Sequence, residues 1–144
     1  PSGVSNGFTL QNTYDTDTWH WYVYTTNDLT LRFNGSQKGS FDDVSGNYTA
    51  TSDRRLKKNI TPVGGVLNNL MKLNLVEYNY KQQSDKRKYT GFIAQEVKDI
   101  FPSLVYYQDE DDLFLMDYAG VGPLAVKAIQ EQQIIIERQT IRKV

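Results

Sequence analysis

Apolar and polar residues alternate along the first third of the chain. The run Trp19–Thr25 is aromatic and β-branched, and residues 29–33 alternate with a period of two. Both patterns are typical of strands with one buried face. Asn34–Gly35 follows as a strong signal for a hairpin turn. The pattern therefore predicts short strands, with Gly39–Phe41 on the return side and Tyr48–Thr51 as a short extended exit.

The hydrophobic period changes from element to element in the rest of the chain. Thr61–Pro62 has the form of a helix cap followed by proline, and it predicts a helix that continues through Met71. Gly64 and Gly65 weaken the first turn of that helix. The further predicted elements are a strand at 75–81, a polar loop at 82–88, a helix at 92–101 that Pro102 ends, and a hairpin of 104–107 with 113–118 around an acidic turn. The fold class is therefore expected to be α+β.

The chain is predicted to be helical from Val121 to its last residue. Apolar and small residues recur there at the 4–3–4–3 spacing of a coiled-coil seam: Val121, Ala125, Ala128, Gln132 and Ile135. Two interpretations stay open, a helix packed on its own domain and a self-associating stalk with Gln132 as a polar register residue. The three consecutive isoleucines Ile134–Ile136 favour a partner helix, because they would otherwise be exposed to water.

Composition and charge exclude several functional classes. The net charge is −1, so no global field attracts nucleic acid or an anionic membrane, and no run is apolar enough to span a bilayer. The absence of cysteine removes disulfides and thiol chemistry, and the single histidine, His20, excludes a multi-histidine metal centre in one chain.

We expect His20 to be an ordinary strand residue, Asp109–Asp112 to be a solvated turn rather than a calcium site, and Lys86–Lys88 to be a loop tip. Neither a metal nor a cofactor is expected.

A domain boundary is predicted between Thr51 and Ser52. Residues 1–51 hold two basic and five acidic residues, whereas residues 52–144 hold 14 basic and 12 acidic residues. The amino-acid composition changes at the same point: Thr, Asn, Gly and aromatic residues are common before it, and Leu, Ile, Lys and Gln are common after it. Residues 1–51 make a poor domain alone, because short strands with many exposed aromatic residues need neighbours. We interpret residues 1–51 as the C-terminal end of a larger β-rich structure.

The candidate chemistry lies at this boundary, in the segment Ser52–Ile60, which reads SDRRLKKNI. A serine hydroxyl needs a neighbouring base, and lysine can replace histidine in that role when its environment disfavours the ammonium form. Ser52 and Lys57 are five residues apart, so the segment must bend for them to meet. On spacing alone, a helix cap with a solvated basic face is the more common meaning of such a segment.

The chain contains four motifs that are similar to those of the endosialidase-type intramolecular chaperone domain, and they occur in the same order as in that family. They are SDRRLKKNI from Ser52, LVEYNY from Leu75, GFIAQEV from Gly91 and AIQEQ from Ala128. The resemblance covers residues 52–144. This family stands at the C-terminus of phage tailspikes and tail fibres, of some bacterial surface proteins and of the myelin regulatory factor. The terminal helix here is shorter than expected for a long stalk.

The resemblance implies a function and roles for individual residues. The domain would form a homotrimer, assist folding of the upstream β-rich passenger of the same polypeptide, and then cut itself off at the Thr51–Ser52 bond. Ser52 would be the nucleophile and Lys57 the general base, which makes the chain a single-turnover serine autoprotease. Gln95 and Glu96 match a family motif, and together with Asp53 they are candidate supporting residues. The implied location is a virion tail fibre or spike, or a bacterial surface, with the chaperone part released after cleavage.

Two other functional classes stay open at this point. One is a structural trimerisation tip that never cuts, in which Ser52 merely caps a turn. The other is a carbohydrate- or receptor-binding fibre tip, with Trp19, Trp21 and Tyr22 as a platform for a sugar. An intact Ser52 and Lys57 favour the autoprotease over the structural tip, and a glycan array would distinguish the binding module from folding assistance.

Overall fold

A computed structural model describes residues 7–14, 16–23 and 26–142. The chain divides into two compact units, residues 1–60 and residues 61–144. The first contains β1 (Gly7–Gln11), β2 (Thr18–Val23), β3 (Leu29–Phe33), β4 (Ser36–Phe41), β5 (Tyr48–Ala50) and a 3₁₀ turn (Arg54–Leu56). The second contains α1 (Leu67–Leu70), β6 (Val76–Tyr78), β7 (Tyr89–Gly91), α2 (Ala94–Ile100), a 3₁₀ turn (Pro102–Leu104), β8 (Val105–Gln108), β9 (Leu113–Met116) and α3 (Val121–Ile141). The predicted α+β class, with hairpin sheets and a C-terminal helix, is confirmed.

The five strands of the first unit form one antiparallel sheet in the order β1-β2-β3-β4-β5. The turn between β3 and β4 has positive φ at both central residues, 47° at Asn34 and 77° at Gly35. A mirror-image turn of this kind matches the twist of the two paired strands, so the predicted hairpin is confirmed. The predicted strand Trp19–Thr25 is observed to Val23, and Tyr24 and Thr25 lie outside the described residues.

One face of this sheet is apolar across all five strands. The strand register places apolar side chains of neighbouring strands opposite one another on this face. They are Phe8, Leu10, Trp19, Trp21, Val23, Leu29, Leu31, Phe33, Phe41 and Tyr48. Ring contacts join neighbouring strands, with centroids 5.0 Å apart for Trp19 and Phe33 and 5.1 Å apart for Phe41 and Tyr48. Phe8 nevertheless stays 58% exposed. We call this surface the apolar sheet face.

The opposite face of the sheet is polar, and it carries Tyr22. Tyr22 and Thr30 are directly opposite each other and both are buried, and the Arg32 guanidinium lies 5.6 Å from the Tyr22 ring centre. Trp19 and Trp21 lie on the apolar sheet face instead, because successive side chains of a strand point to opposite faces. The three aromatic residues therefore cannot form the single sugar platform considered above.

The second unit has a small core around the second helix. Val97 of α2 is 1% exposed, and it packs with the buried residues Phe101 and Leu104. The predicted helix is observed as Ala94–Ile100, and Pro102 begins a separate 3₁₀ turn because proline cannot continue the α-helical ladder. The predicted strand at 75–81 is observed only over Val76–Tyr78, paired with β7.

The helix predicted to begin at Thr61–Pro62 begins later, so that prediction is wrong. Residues 61–66 are not helical, and α1 is the single turn Leu67–Leu70. Gly64 and Gly65 lower helix propensity at the expected start. The Glu131 carboxylate, from α3, accepts hydrogen bonds from the backbone N–H groups of Val66 (3.1 Å) and Leu67 (3.0 Å) and so caps the observed start.

The long helix α3 is predicted correctly, and its two halves differ. Ala128 is 3% exposed, and residues 121, 124, 125, 127 and 131 are half-buried, as expected for a helix packed on its own unit. Residues 132–141 are all exposed, including Ile134, Ile135 and Ile136. The helix ends at Ile141, with Arg142 as its C-cap, rather than continuing through Arg142 as predicted, and residues 143 and 144 lie outside the described residues. Within the described part of the chain, no helix is long and apolar enough to cross a membrane.

Candidate functional site

The segment after β5 folds back on itself within a few residues. Asp53 is extended (φ −65°, ψ 135°), Arg54–Leu56 form the 3₁₀ turn, and Lys57 is extended again (φ −112°, ψ 142°). Two backbone hydrogen bonds close the turn, from Leu56 N–H to the Asp53 carbonyl (3.1 Å) and from Lys57 N–H to the Arg54 carbonyl (3.0 Å). The chain reversal that the five-residue spacing required is therefore present.

This turn brings the predicted nucleophile and the predicted base together. Lys57 Nζ donates a hydrogen bond to Ser52 Oγ across 2.7 Å. The distance lies within the range in which a general base can accept a proton from a hydroxyl. Both side chains are exposed in the single chain. The arrangement has the local geometry of a Ser–Lys dyad, and the catalytic roles of both residues stay predictions.

Asp53 lies between the two members of the pair and binds the turn rather than either of them. Its Oδ1 accepts a hydrogen bond from Arg55 N–H (2.8 Å), and its Oδ2 accepts one from the Arg55 guanidinium (2.7 Å). These hydrogen bonds lower the pKa of Asp53 and raise the pKa of Arg55. Sequence reasoning included Arg55 only as one of several basic residues and did not predict this ion pair.

The peptide bond before Ser52 is held at the end of the sheet. Thr51 N–H donates to the Lys38 carbonyl at 2.9 Å, which continues the β4–β5 pairing by one bond. An open cavity of about 360 Å³ lies beside Thr51, and it is lined by Thr51, Asp53, Arg55 and Leu56. The predicted cleavage site is thus at a fixed strand end next to accessible space.

Gln95 and Glu96, the other candidate supporting residues, lie in the second unit on the first turn of α2. Glu96 Oε2 accepts a hydrogen bond from Asn74 Nδ2 at 3.4 Å. Gln95 lines an open cavity of about 340 Å³ with aromatic and apolar residues: Tyr78, Tyr80, Phe92, Ile93, Ala94, Phe114, Leu115, Met116 and Tyr118. The contact with Tyr80 raises the pKa of Tyr78 to about 12. Support of the dyad by Gln95 or Glu96 stays a prediction.

The remaining candidates have structural explanations. His20 lies in β2 and contacts the hydroxyls of Thr9 and Thr18, as expected for a strand residue. Asp109–Asp112 form the predicted turn, in which Asp112 accepts a hydrogen bond from the Tyr107 hydroxyl.

A cluster of carboxylates lies elsewhere in the first unit. Among the described residues, oxygens of Asp28, Asp42 and Asp43 lie within 4.8 Å of one another. Ser45 donates to Asp42 through its hydroxyl (2.6 Å) and its backbone N–H (2.7 Å), which lowers the pKa of Asp42. Because these groups are largely exposed and Asp42 already has partners, we do not assign them a ligand.

Comparison with known protein families gives a match to the second part of the chain. Residues 52–106 match the model of a peptidase family described as chaperone of endosialidase. The match begins at Ser52, includes Lys57, Gln95 and Glu96, and ends in β8. No curated protein matches the chain significantly. The resemblance is confirmed over this segment, which contains three of the four motifs, whereas AIQEQ from Ala128 lies outside the matched residues and stays a prediction.

Proposed function

Because residues 52–106 match the family model described as chaperone of endosialidase, we propose that this domain assists the folding of an upstream β-rich fibre or spike and then cuts itself off. The cut lies between Thr51 and Ser52, with Ser52 as nucleophile and Lys57 as general base. The observation that carries this proposal is the 2.7 Å separation between Lys57 Nζ and Ser52 Oγ.

The proposed reaction is an N-to-O acyl shift followed by hydrolysis. Ser52 Oγ attacks the carbonyl carbon of Thr51 through a five-membered ring, and the hydroxyl proton passes to neutral Lys57. The bond from that carbon to Ser52 N then breaks, and the nitrogen takes the proton, so that an ester and a free amine result. Water hydrolyses the ester to the Thr51 carboxylate and restores the Ser52 hydroxyl. Placing nucleophile and carbonyl in one chain supplies much of the rate.

The direction of the hydrogen bond matters for this chemistry. An ammonium group can only donate, so protonated Lys57 holds Ser52 Oγ without activating it. When Lys57 is neutral, the same contact reverses, and Ser52 donates its proton towards the amine. The proposed cleavage therefore accelerates as the pH rises, because the fraction of neutral Lys57 increases.

The proposal includes assembly of three chains. Two surfaces support it: the apolar sheet face in the first unit, and the isoleucines Ile134, Ile135 and Ile136, which are 44–49% exposed in α3. Exposed apolar surface of this extent is typical of an interaction site. The proposed partners are two further copies of this chain and the upstream passenger. The proposed setting is a phage tail fibre or spike, or a bacterial surface, from which the chaperone part is released.

Intact-mass measurement on freshly expressed chain tests the cut. Cleavage predicts two pieces of 51 and 93 residues, whereas an uncut chain has 144 residues. The matched control is Ser52→Ala, which should stay whole under the same conditions. A wild-type chain that stays whole as an assembled trimer would favour the structural tip, and a cut at another bond would contradict the assignment of Ser52.

A further inference from the structure

The meeting of Ser52 and Lys57 depends entirely on the 3₁₀ turn at Arg54–Leu56. In an extended chain, five residues would separate the two Cα atoms by roughly 17 Å, beyond hydrogen-bond contact for these side chains. Asp53 and Lys57 are themselves extended, so the reversal is confined to the three residues between them. Any contact that stabilises this turn therefore also keeps Ser52 and Lys57 within hydrogen-bond distance.

Packing does little to hold the turn. None of its three residues is buried, and Leu56, its only apolar residue, is 68% exposed. A 3₁₀ helix of one turn has poor hydrogen-bond geometry and is not stable by itself. The turn therefore needs a local polar contact that favours the folded conformation.

The Asp53 carboxylate supplies that contact from both of its oxygens. Oδ1 caps the turn by accepting the Arg55 backbone N–H at 2.8 Å, and it also accepts Arg55 Nε at 3.0 Å. Oδ2 accepts the terminal guanidinium nitrogen at 2.7 Å. A planar guanidinium bound by two oxygens has a defined orientation, so the side chain and the backbone of Arg55 are held together.

We infer that Asp53 is the positioning residue of the dyad and that Arg55 is its partner in this role. Asp53 acts through the shape of the turn, and neither residue takes part in proton transfer. The inference rests on the proposed function for its biological meaning. The geometric claim is that Asp53 keeps residues 52 and 57 in contact, and this contact can be tested without any cleavage.

The first measurement is the rate of cleavage. Asp53→Ala removes both the cap and the ion pair, and we expect a loss of about tenfold or more, because small misplacements of a nucleophile cost large factors in rate. Asp53→Asn keeps an oxygen that accepts the Arg55 N–H, so it should restore part of the rate. Arg55→Ala keeps the cap and should be slowed less than Asp53→Ala. The pH dependence should keep its shape in all three variants.

The second measurement does not depend on cleavage. The chain has no cysteine, so Ser52→Cys introduces a unique thiol at the same position. Its pKa can be read from the pH dependence of alkylation by iodoacetamide on intact chains. A nearby lysine ammonium lowers a thiol pKa below its ordinary value of about 8.5. Adding Lys57→Ala to this variant should therefore raise the thiol pKa.

The sign of the Asp53 effect on this thiol decides the inference. If Asp53 positions Lys57, adding Asp53→Ala should raise the thiol pKa as Lys57→Ala does, by about one unit, which is tenfold in thiolate fraction below the pKa. Simple removal of a nearby negative charge acts in the opposite direction and lowers the thiol pKa. An unchanged or lowered pKa in the Asp53→Ala background overturns the inference. Circular dichroism checks whether each variant retains its fold.

The two proposals fail separately. If the wild-type chain does not cut but the thiol pKa rises in the Asp53→Ala background, the positioning role holds and the proposed function is wrong. If the wild-type chain cuts and the thiol pKa does not rise, the proposed function holds and the positioning role is wrong. If Lys57→Ala leaves the thiol pKa unchanged, residues 52 and 57 are not in contact, and the inference fails.

Discussion

The two compact units hold their important side chains in place by different means. In the second unit, α2 is anchored by burial of Val97, Phe101 and Leu104. In the first unit, the turn that carries Ser52 and Lys57 has no buried residue and is held by short-range hydrogen bonds. Burial resists local change because it is shared among many contacts, whereas a local hydrogen-bond network can be removed without disturbing a core. The proposed chemistry is therefore expected to be separable from folding.

The sharpest way to test this separation is to remove the dyad. Ser52→Ala and Lys57→Ala should each abolish cleavage, and the double variant should lose nothing further, because the two residues act as one unit. Lys57→Arg should also stay uncut, since a guanidinium does not give up its proton near neutral pH. Mass spectrometry measures the cut, and circular dichroism should show an unchanged fold. Normal cleavage in Lys57→Arg would contradict lysine as the base.

A charge in the exposed half of α3 should break the proposed assembly and leave the second unit folded. Ile135→Asp would place three unpaired carboxylates in one buried layer of the trimer, which is strongly unfavourable. Sedimentation equilibrium should show monomer where the wild type shows trimer. Gln130→Asp is the matched control, because it adds the same charge at an exposed position outside the seam. A wild-type monomer at micromolar concentration would refute the assembly itself.

Truncation in the core of the second unit should destabilise that unit and leave the dyad geometry unchanged. Val97→Ala removes two methyl groups from a side chain that is 1% exposed and should cost about 2 kcal/mol of unfolding free energy. Val126→Ala, on a side chain that is 58% exposed, should cost much less. Chemical denaturation measures both. Equal effects of the two substitutions would mean that α2 does not pack as described.

The smallest expected effect concerns the cap that Glu131 places on α1. Hydrogen bonds from Leu67 and Val66, together with Lys127, lower the pKa of Glu131 below 4.5 in the folded chain. A carboxyl group whose pKa is lowered on folding contributes stability above its unfolded pKa and loses that contribution as the pH falls through its folded pKa. Glu131→Gln should thus lower the melting temperature slightly near neutral pH, and the difference from wild type should disappear in acid.

Glu137→Gln is the control for that prediction. Glu137 lies on the exposed half of the same helix and accepts a hydrogen bond from Gln133 of α3 itself. Its substitution should leave the melting temperature and its pH dependence nearly unchanged, because the contact is within one exposed helix face. A pH-independent difference between Glu131→Gln and wild type would show that the charge of Glu131 is not what stabilises α1.

Local signals explain which predictions succeeded. Asn34–Gly35 determined the hairpin because its backbone needs positive φ at two successive residues, and Pro102 ended α2 because proline lacks a backbone N–H. The helix start at Thr61–Pro62 failed because the decisive contact comes from Glu131, far away in the sequence. Gly64 and Gly65 weaken the predicted start, but no pattern near residue 61 shows that the helix begins at Leu67 instead.

The sequence by itself determined the residue types of the candidate site, the strand pattern of the first unit and the helical character of α3, because these depend on neighbours within a few positions. Alternation along the predicted strand also determined that Tyr22 lies on the face opposite to Trp19 and Trp21. Tertiary structure decided which half of α3 is buried. It also decided that Lys57 reaches Ser52 across 2.7 Å. Burial depends on which elements pack together, and chain reversal depends on the geometry of the turn, so these two facts could not be derived from residue spacing.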